Sequence, residues 1–249
     1  MQIANGIAAL PISTVMLGRT DTIYPTLLWD SQTMVLVDTG YPGQSDKFRE
    51  QIADVGLSGR KLGHIIITHQ DLDHIGSLPA LLDSTSEAIE VLASAVEQPY
   101  IQGERPLVKL SPEAIAQAVV ALPPDVPNEW RQAFKHTLEH PPRANVSRTV
   151  TDGQQLPYCG GITVIGTPGH TPGHISLYHG PSKTLIAADA LIVSEGQLYG
   201  PTPEHAYDIG LAKQSLNRLL RYDIETVICY HGGVYRGNAN ERLAQIIGK

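Results

Sequence analysis

Residues 65 to 82 read IIITHQDLDHIGSLPALL. Three branched aliphatics run into His69, Asp71, Asp73 and His74, and Gly76, Ser77 and Pro79 then open another apolar segment. Imidazoles and carboxylates packed this closely form a donor set for zinc, manganese or iron. Residues two apart in an extended stretch point the same way, so His69 and Asp71 can approach one ion. Asp73 and His74, on the turn into a helix, can face a second. Three more apolar runs meet the same kind of side chain: VIGTPGHTPGH supplies His170 and His174, LIAAD supplies Asp189, and VICYHGG supplies His231. Ligands of α/β proteins collect in the crevice beyond the strand ends, which gives these four ends a place to converge.

The elements that must position these groups follow from the residue pattern. Residues 7 to 38 hold three strand-like runs, IAALPISTVML, TIYPTLLWD and TMVLVDTG, as an N-terminal meander. QSDKFREQIADVGL spaces Phe48, Ile52 and Val55 along one helical face and ends near Gly56. HIIIT is too uniformly apolar for a half-exposed strand and reads as one covered on both faces. SLPALL starts a helix, with Ser77 and Pro79 suited to its first turn, and AIEVLAS is the next strand. Farther on, GITVIGT, HISLYHG, KTLIAAD and ETVICYHGG read as strands, AYDIGLAKQSLNRLLRY reads as one helix, and NERLAQII closes the chain. The alternation predicts an α/β fold in layers, a single domain over residues 1–249. Between about residues 100 and 146, helical stretches bracketed by paired prolines look inserted.

Composition narrows the functions open to the chain. With 249 residues, 42% of them hydrophobic, it can bury a large core. A formal charge of -7 without a Lys/Arg block argues against nucleic acid and leaves a small-molecule substrate as the expected partner. Cys159 and Cys229 make neither a disulfide framework nor a CxxC knuckle, and they read as buried thiols of a reducing, cytoplasmic compartment. The N-terminus lacks the basic region of a signal peptide. No apolar run approaches the ~18 residues a membrane helix needs, so no membrane partner is expected.

The ordered set of motifs, from LVDTG through HQDLDH, TPGHTPGH and LIAAD to YHGG, resembles the metallo-β-lactamase fold superfamily of metallohydrolases. TPGHTPGHISLY is similar to the version found in glyoxalase II and N-acyl homoserine lactonase relatives. The resemblance implies a four-layer αββα sandwich with the helical insertion set aside. It also implies two divalent ions, the first held by His69, Asp71 and His170, the second by Asp73, His74 and His231, with Asp189 bridging. Spacing alone leaves His170 and His174 equivalent, and the resemblance selects His170. Asp38 of LVDTG corresponds to a residue that steadies a ligand histidine. The chain departs from the family in one place: its second histidine is Asp71, giving H-x-D-x-D-H. A carboxylate there lowers Lewis acidity, so manganese or iron stand beside zinc as the expected ions.

The function implied is hydrolysis of a carboxylic ester, lactone or thioester by a metal-bridging hydroxide, with Asp73 orienting the nucleophile. Tyr199, ten residues beyond Asp189, is the candidate oxyanion donor. The insertion would shape the substrate entrance or form a homodimer contact. Two alternatives compete: an iron oxidoreductase of the same fold, resembling persulfide dioxygenases or flavodiiron proteins, and a non-catalytic domain whose site has decayed through Asp71. His136 and His140, four apart in HTLEH, lack the Glu of a zincin and read as a solvated helix end.

Overall fold

The computed structural model describes residues 1–16 and 19–248. The first sheet draws on β1 (Gln2–Ala4), β2 (Ile7–Ala9), β5 (Thr26–Trp29), β6 (Met34–Val37), β7 (Leu62–Ile66), β8 (Glu90–Ser94) and β9 (Arg148–Val150), hydrogen-bonded in that order. Its N-terminal half is antiparallel, and β6 through β9 run parallel. The second sheet has the order β10 (Gln155–Leu156), β11 (Ile162–Gly166), β12 (Ile175–His179), β13 (Thr184–Ala188), β16 (Thr226–Cys229) and β17 (Gly233–Arg236). Two hairpins stand apart from the sheets, β3 (Ile12–Met16) with β4 (Arg19–Ile23) and β14 (Ile192–Ser194) with β15 (Gln197–Tyr199).

Side-chain alternation along β7 and just beyond it shows how the layers stack. Ile65 and Ile67 pack on one face with Phe48 of α1 (Ser45–Asp54), Ile75 of α2 (Leu72–Ile75) and Leu78 of α3 (Leu78–Asp83). Ile66 points the other way, into a core shared with Ile162, Val164, Leu177 and Ile228 of the second sheet. The outer face of that sheet buries Leu185 and Val227 against Ala239 and Leu243 of α8 (Ala239–Ile247). The layers therefore run helix, sheet, sheet, helix, the αββα order expected. Residues 100–146 contain α5 (Pro112–Val120) and α6 (Asn128–Glu139), after the short α4 (Gln98–Ile101). α5 and α6 pack on each other, and the Arg131 guanidinium donates to the carbonyls of Val119 and Leu122 at the end of α5.

Two expectations of continuity fail, each for a local reason. IAALPISTVML and TIYPTLLWD are not single strands: β2 stops before Pro11, β4 stops before Pro25, and the pair β3–β4 leaves the sheet there. Proline lacks the N–H a ladder needs. Leu10 N–H donates to Pro25 O at 2.8 Å, so the ribbon turns away where Pro11 and Pro25 lie one register step apart on the two strands. Residue 17 of the first run lies outside the described residues. The helix read over AYDIGLAKQSLNRLLRY is α7 (Ile209–Ser215), continued by a tighter 3-10 segment, Leu216–Arg221.

Ile66 is fully buried between the two sheets. Ile66→Ala is expected to cost about 2–5 kcal/mol, read as a lower urea midpoint with an unchanged m-value.

Candidate metal centre

The four strand ends do converge. β7 leads through Thr68 into the loop carrying His69 and Asp71, and α2 begins directly after Asp71, so Asp73 and His74 lie on its first turn. Asp71 occupies the N-cap position of α2, but its side chain makes no cap hydrogen bond. β11 leads to His170, β13 delivers Asp189, and β16 delivers His231. His69, Asp71, His170 and Asp189 form one group of potential ligand atoms lying within 4.8 Å of one another, and Asp73, His74 and His231 form another. In the first group Asp71 Oδ2 lies 3.3 Å from His69 Nε2 and 3.0 Å from His170 Nε2. In the second, His231 Nε2 lies 3.1 Å from Asp73 Oδ2, and His74 Nε2 lies 3.8 Å from the same oxygen. Asp189 faces both groups, with Oδ2 3.2 Å from His170 Nε2 and Oδ1 3.5 Å from His74 Nε2.

Buried hydrogen bonds fix which ring nitrogens face inward. His74 Nδ1–H donates to Asp38 Oδ2 at 2.9 Å, which turns Nε2 toward Asp189. Thr68 Oγ1 donates to Asp38 Oδ2 at 2.8 Å and is left to accept from His69 Nδ1–H at 3.0 Å. Asp38 thus orients one imidazole directly and another through Thr68, as carboxylates behind metal-binding histidines do. Its own backbone is left-handed, at φ 64°, as is that of Ala188 at φ 48°, immediately before Asp189. Positive φ is unusual for alanine, and such strain concentrates at functional sites. His174, the histidine spacing could not separate from His170, accepts from Asp189 N–H at its Nε2, 3.2 Å away, and so positions that carboxylate's backbone.

These groups fit a cation. His69 Nε2, His74 Nε2 and Asp189 Oδ1 are buried without a hydrogen-bond partner, a costly state for polar atoms that a metal ion would relieve. Electrostatics point the same way. Burial opposes the charge on Asp71, yet His69, His170 and Lys109 hold its carboxyl well below the usual range. Burial likewise opposes the charge on Asp189, and His74, His231 and His170 hold that group well below it too. Burial pulls His74 down, but Asp38, Asp189 and Asp73 raise it well above the ordinary histidine value.

Several contributors carry no motif and escape sequence reasoning. Lys109, from the segment between α4 and α5, reaches Asp71 Oδ2 at 2.5 Å and His170 Nε2 at 2.8 Å. Glu97 is completely buried, and its carboxylate accepts from Gln70 N, Gln70 Nε2, Thr171 Oγ1 and Gly173 N at 2.6–3.0 Å. It ties the loop of His69 and Asp71 to that of His170. Gly173 permits this approach, since a Cβ there would lie 2.6 Å from Ser94 Oγ. Gly169, at φ +131°, lets the same loop press on α7, where a Cβ would meet Ala212 N at 2.2 Å. Tyr230 stacks on His74 and donates its hydroxyl to Asp73 O.

Tyr199 is a correction. It does not join the cluster: alternation along β15 buries Leu198 and turns Tyr199 outward, where the Arg242 guanidinium sits 5.7 Å over its ring. The aromatic hydroxyl beside the cavity belongs to Tyr41, which donates to Asp21 Oδ2 at 2.9 Å. That cavity, about 730 Å³, opens over Asp71, Asp73, His170, Asp189 and His231. His136 and His140 stack on each other on α6 and join neither group.

The sequence and the fold are matched in known proteins. A sequence profile of the Metallo-beta-lactamase superfamily matches residues 19–231, and the chain belongs to that superfamily. It is 27% identical over 214 residues to the probable metallo-hydrolase YflN of Bacillus subtilis, covering 82% of this chain and 76% of that one. It is also 36% identical over 92 residues to a hydroxyacylglutathione hydrolase of Rhizobium meliloti, about a third of each chain (36% and 33%). Its fold is similar to that of a metallo-beta-lactamase family protein, TTHA1429, from Thermus thermophilus. That match has a TM-score of 0.67 at 23% identity and covers 98% of this chain and 79% of that one. Among the described residues no helix is long and apolar enough to cross a membrane.

His231 gives this centre a pH signature. Burial lowers its affinity for a proton, and Asp189 and Asp73 more than offset that, raising it from 6.5 to about 9. In metal-free protein the resulting stabilisation is fully present below about pH 6.5 and is lost as pH rises through about 9. Urea midpoints of chelator-treated protein are expected to fall between about pH 7 and about pH 9.5, and to fall less in His231→Gln.

Proposed function

We propose that this chain is a metal-dependent hydrolase that opens a carboxylic ester, lactone or thioester. The observation that carries the reading is the pair of ligand groups joined by Asp189 on the floor of the cavity. Its support from relatives is of two kinds: YflN, a probable metallo-hydrolase, matches over most of both chains, and a hydroxyacylglutathione hydrolase, whose name denotes an acyl-glutathione substrate, aligns over only about a third of each chain. Divalent ions held by the two groups would acidify a coordinated water and polarise a carbonyl.

The chain's own residues supply the rest. Asp73 lies at the mouth of the second group, its Oδ2 paired with His231, and is the carboxylate placed to orient a water and manage its proton. Asp38 and Thr68 keep His74 and His69 in the tautomers that leave Nε2 free. Tyr41, Asp21, Leu191 and Ile192 are among the residues lining a cavity of a size suited to a small molecule. Asp71 adds a negative charge to the first group, which keeps manganese and iron beside zinc as its ions.

Purified protein supplied with zinc or manganese is expected to hydrolyse at least one of a lactone, an aryl ester and an acyl-glutathione thioester. Chelation should abolish turnover and metal should restore it. Asp73→Asn is expected to lower kcat by roughly 10²–10⁴-fold. Metal-loaded protein inert toward all three substrates would refute the reading, and oxygen uptake with a thiol-derived substrate would move the chain to the iron-oxidoreductase alternative.

A further inference from the structure

The two ligand groups differ in one respect that neither motif nor fold explains: a lysine ammonium sits against the first. Lys109 Nζ is 2.5 Å from Asp71 Oδ2 and 2.8 Å from His170 Nε2. An imidazole nitrogen has a single lone pair, so His170 Nε2 can accept from the ammonium or bind an ion, not both. Asp71 Oδ2 is the carboxylate oxygen that also faces His69 and His170, the one turned toward the group. The second group has no such neighbour: among the described residues its carboxylate Asp73 is paired only with histidines.

The position of Lys109 is built in. Gln70, between the two predicted ligands His69 and Asp71, accepts from Val108 N–H through Oε1 at 2.7 Å. The same Gln70 donates its backbone N–H and its side-chain amide to the buried Glu97 carboxylate. A continuous hydrogen-bonded path, Glu97 to Gln70 to Val108, therefore fixes the backbone one residue before Lys109. The segment between α4 and α5 is anchored to the ligand loop, and its lysine is aimed into the first group.

We propose that Lys109 is a tethered cation that competes with the first metal ion, so that the two sites load unequally. The second site, Asp73, His74 and His231, fills tightly; the first fills only when the ammonium releases His170 and Asp71. Asp71 gives Lys109 a full negative charge to pair with, which a neutral histidine at that position would lack. The proposal rests on the reading of the clusters as metal sites, and it makes the enzyme mononuclear at limiting metal.

Metal titration of chelator-stripped protein, with zinc or manganese read by a competing chromophoric chelator and by elemental analysis, tests this directly. Wild type should bind one ion tightly and a second at least about tenfold more weakly, the scale on which groups behind a metal ligand change affinity. His170→Ala should remove the weaker step alone. Lys109→Met and Lys109→Gln should tighten the weaker step about tenfold or more and leave the tighter one in place, whereas Lys109→Arg should resemble wild type. The rise in melting temperature on saturation should likewise be larger in the two neutral variants than in wild type. Two ions bound with indistinguishable affinity in wild type, or a weaker step weakened further in Lys109→Met, would overturn the proposal and leave the hydrolase reading standing. Protein that takes up no ion in any variant would overturn both.

Discussion

Gathering three carboxylates around one buried point is unfavourable unless each finds opposite charge. Asp71, Asp73 and Asp189 all lie at a centre largely removed from water, and each is held ionised by imidazoles or an ammonium rather than by solvent. An isolated carboxylate would escape such burial by taking up a proton. Here the carboxylates raise the proton affinity of His74 and His231, and those imidazoles in turn help hold Asp73 and Asp189 below the usual carboxylate range. The same inequality that makes the site costly as bare protein makes it receptive to a divalent cation.

That electrostatic demand explains the effort spent on loops. Five of the seven potential ligands lie on connections beyond strand ends, Asp73 and His74 lie on the first turn of α2, and loops are ordinarily the mobile part of a fold. Here they are braced from behind. Asp38, in a left-handed conformation, reaches Thr68 N–H as well as the imidazole of His74. Glu97 grips two loops with both of its oxygens. Tyr230 clamps the first turn of α2 from the strand that delivers His231.

The legible part of the molecule was the part with local signatures. The uniform apolarity of HIIIT correctly signalled a strand covered on both faces, because Ile65 and Ile66 face different cores. The histidines and aspartates were visible because each follows an apolar run, and all seven meet at the centre. Three things could not be seen. The break of the N-terminal runs at Pro11 and Pro25 depended on the pairing register that brings the two prolines next to one another across the ribbon. The outward turn of Tyr199 depended on which face of a small hairpin is buried. Glu97 and Lys109 were hidden because a lone acid or base in a connection has no spacing to announce it; each acquires meaning only through contacts more than twenty-five residues away, at separations of 27 for Glu97 with Gln70 and 38 for Lys109 with Asp71.

The division of ligands between the sheets shapes how the chain matures. His69, Asp71, Asp73 and His74 belong to the half of the polypeptide that forms the first sheet, which closes with β9 at Val150. His170, Asp189 and His231 belong to the other half, and β16, which brings His231, is added beside β13 only after the intervening hairpin and α7. During synthesis, therefore, an emerging chain exposes four acidic and imidazole groups before their counterparts exist; the first group is complete once Asp189 follows β13, and the second only when His231 follows β16, the last strand but one. An ion seated between the halves would then act as a rivet across the seam where the two sheets meet.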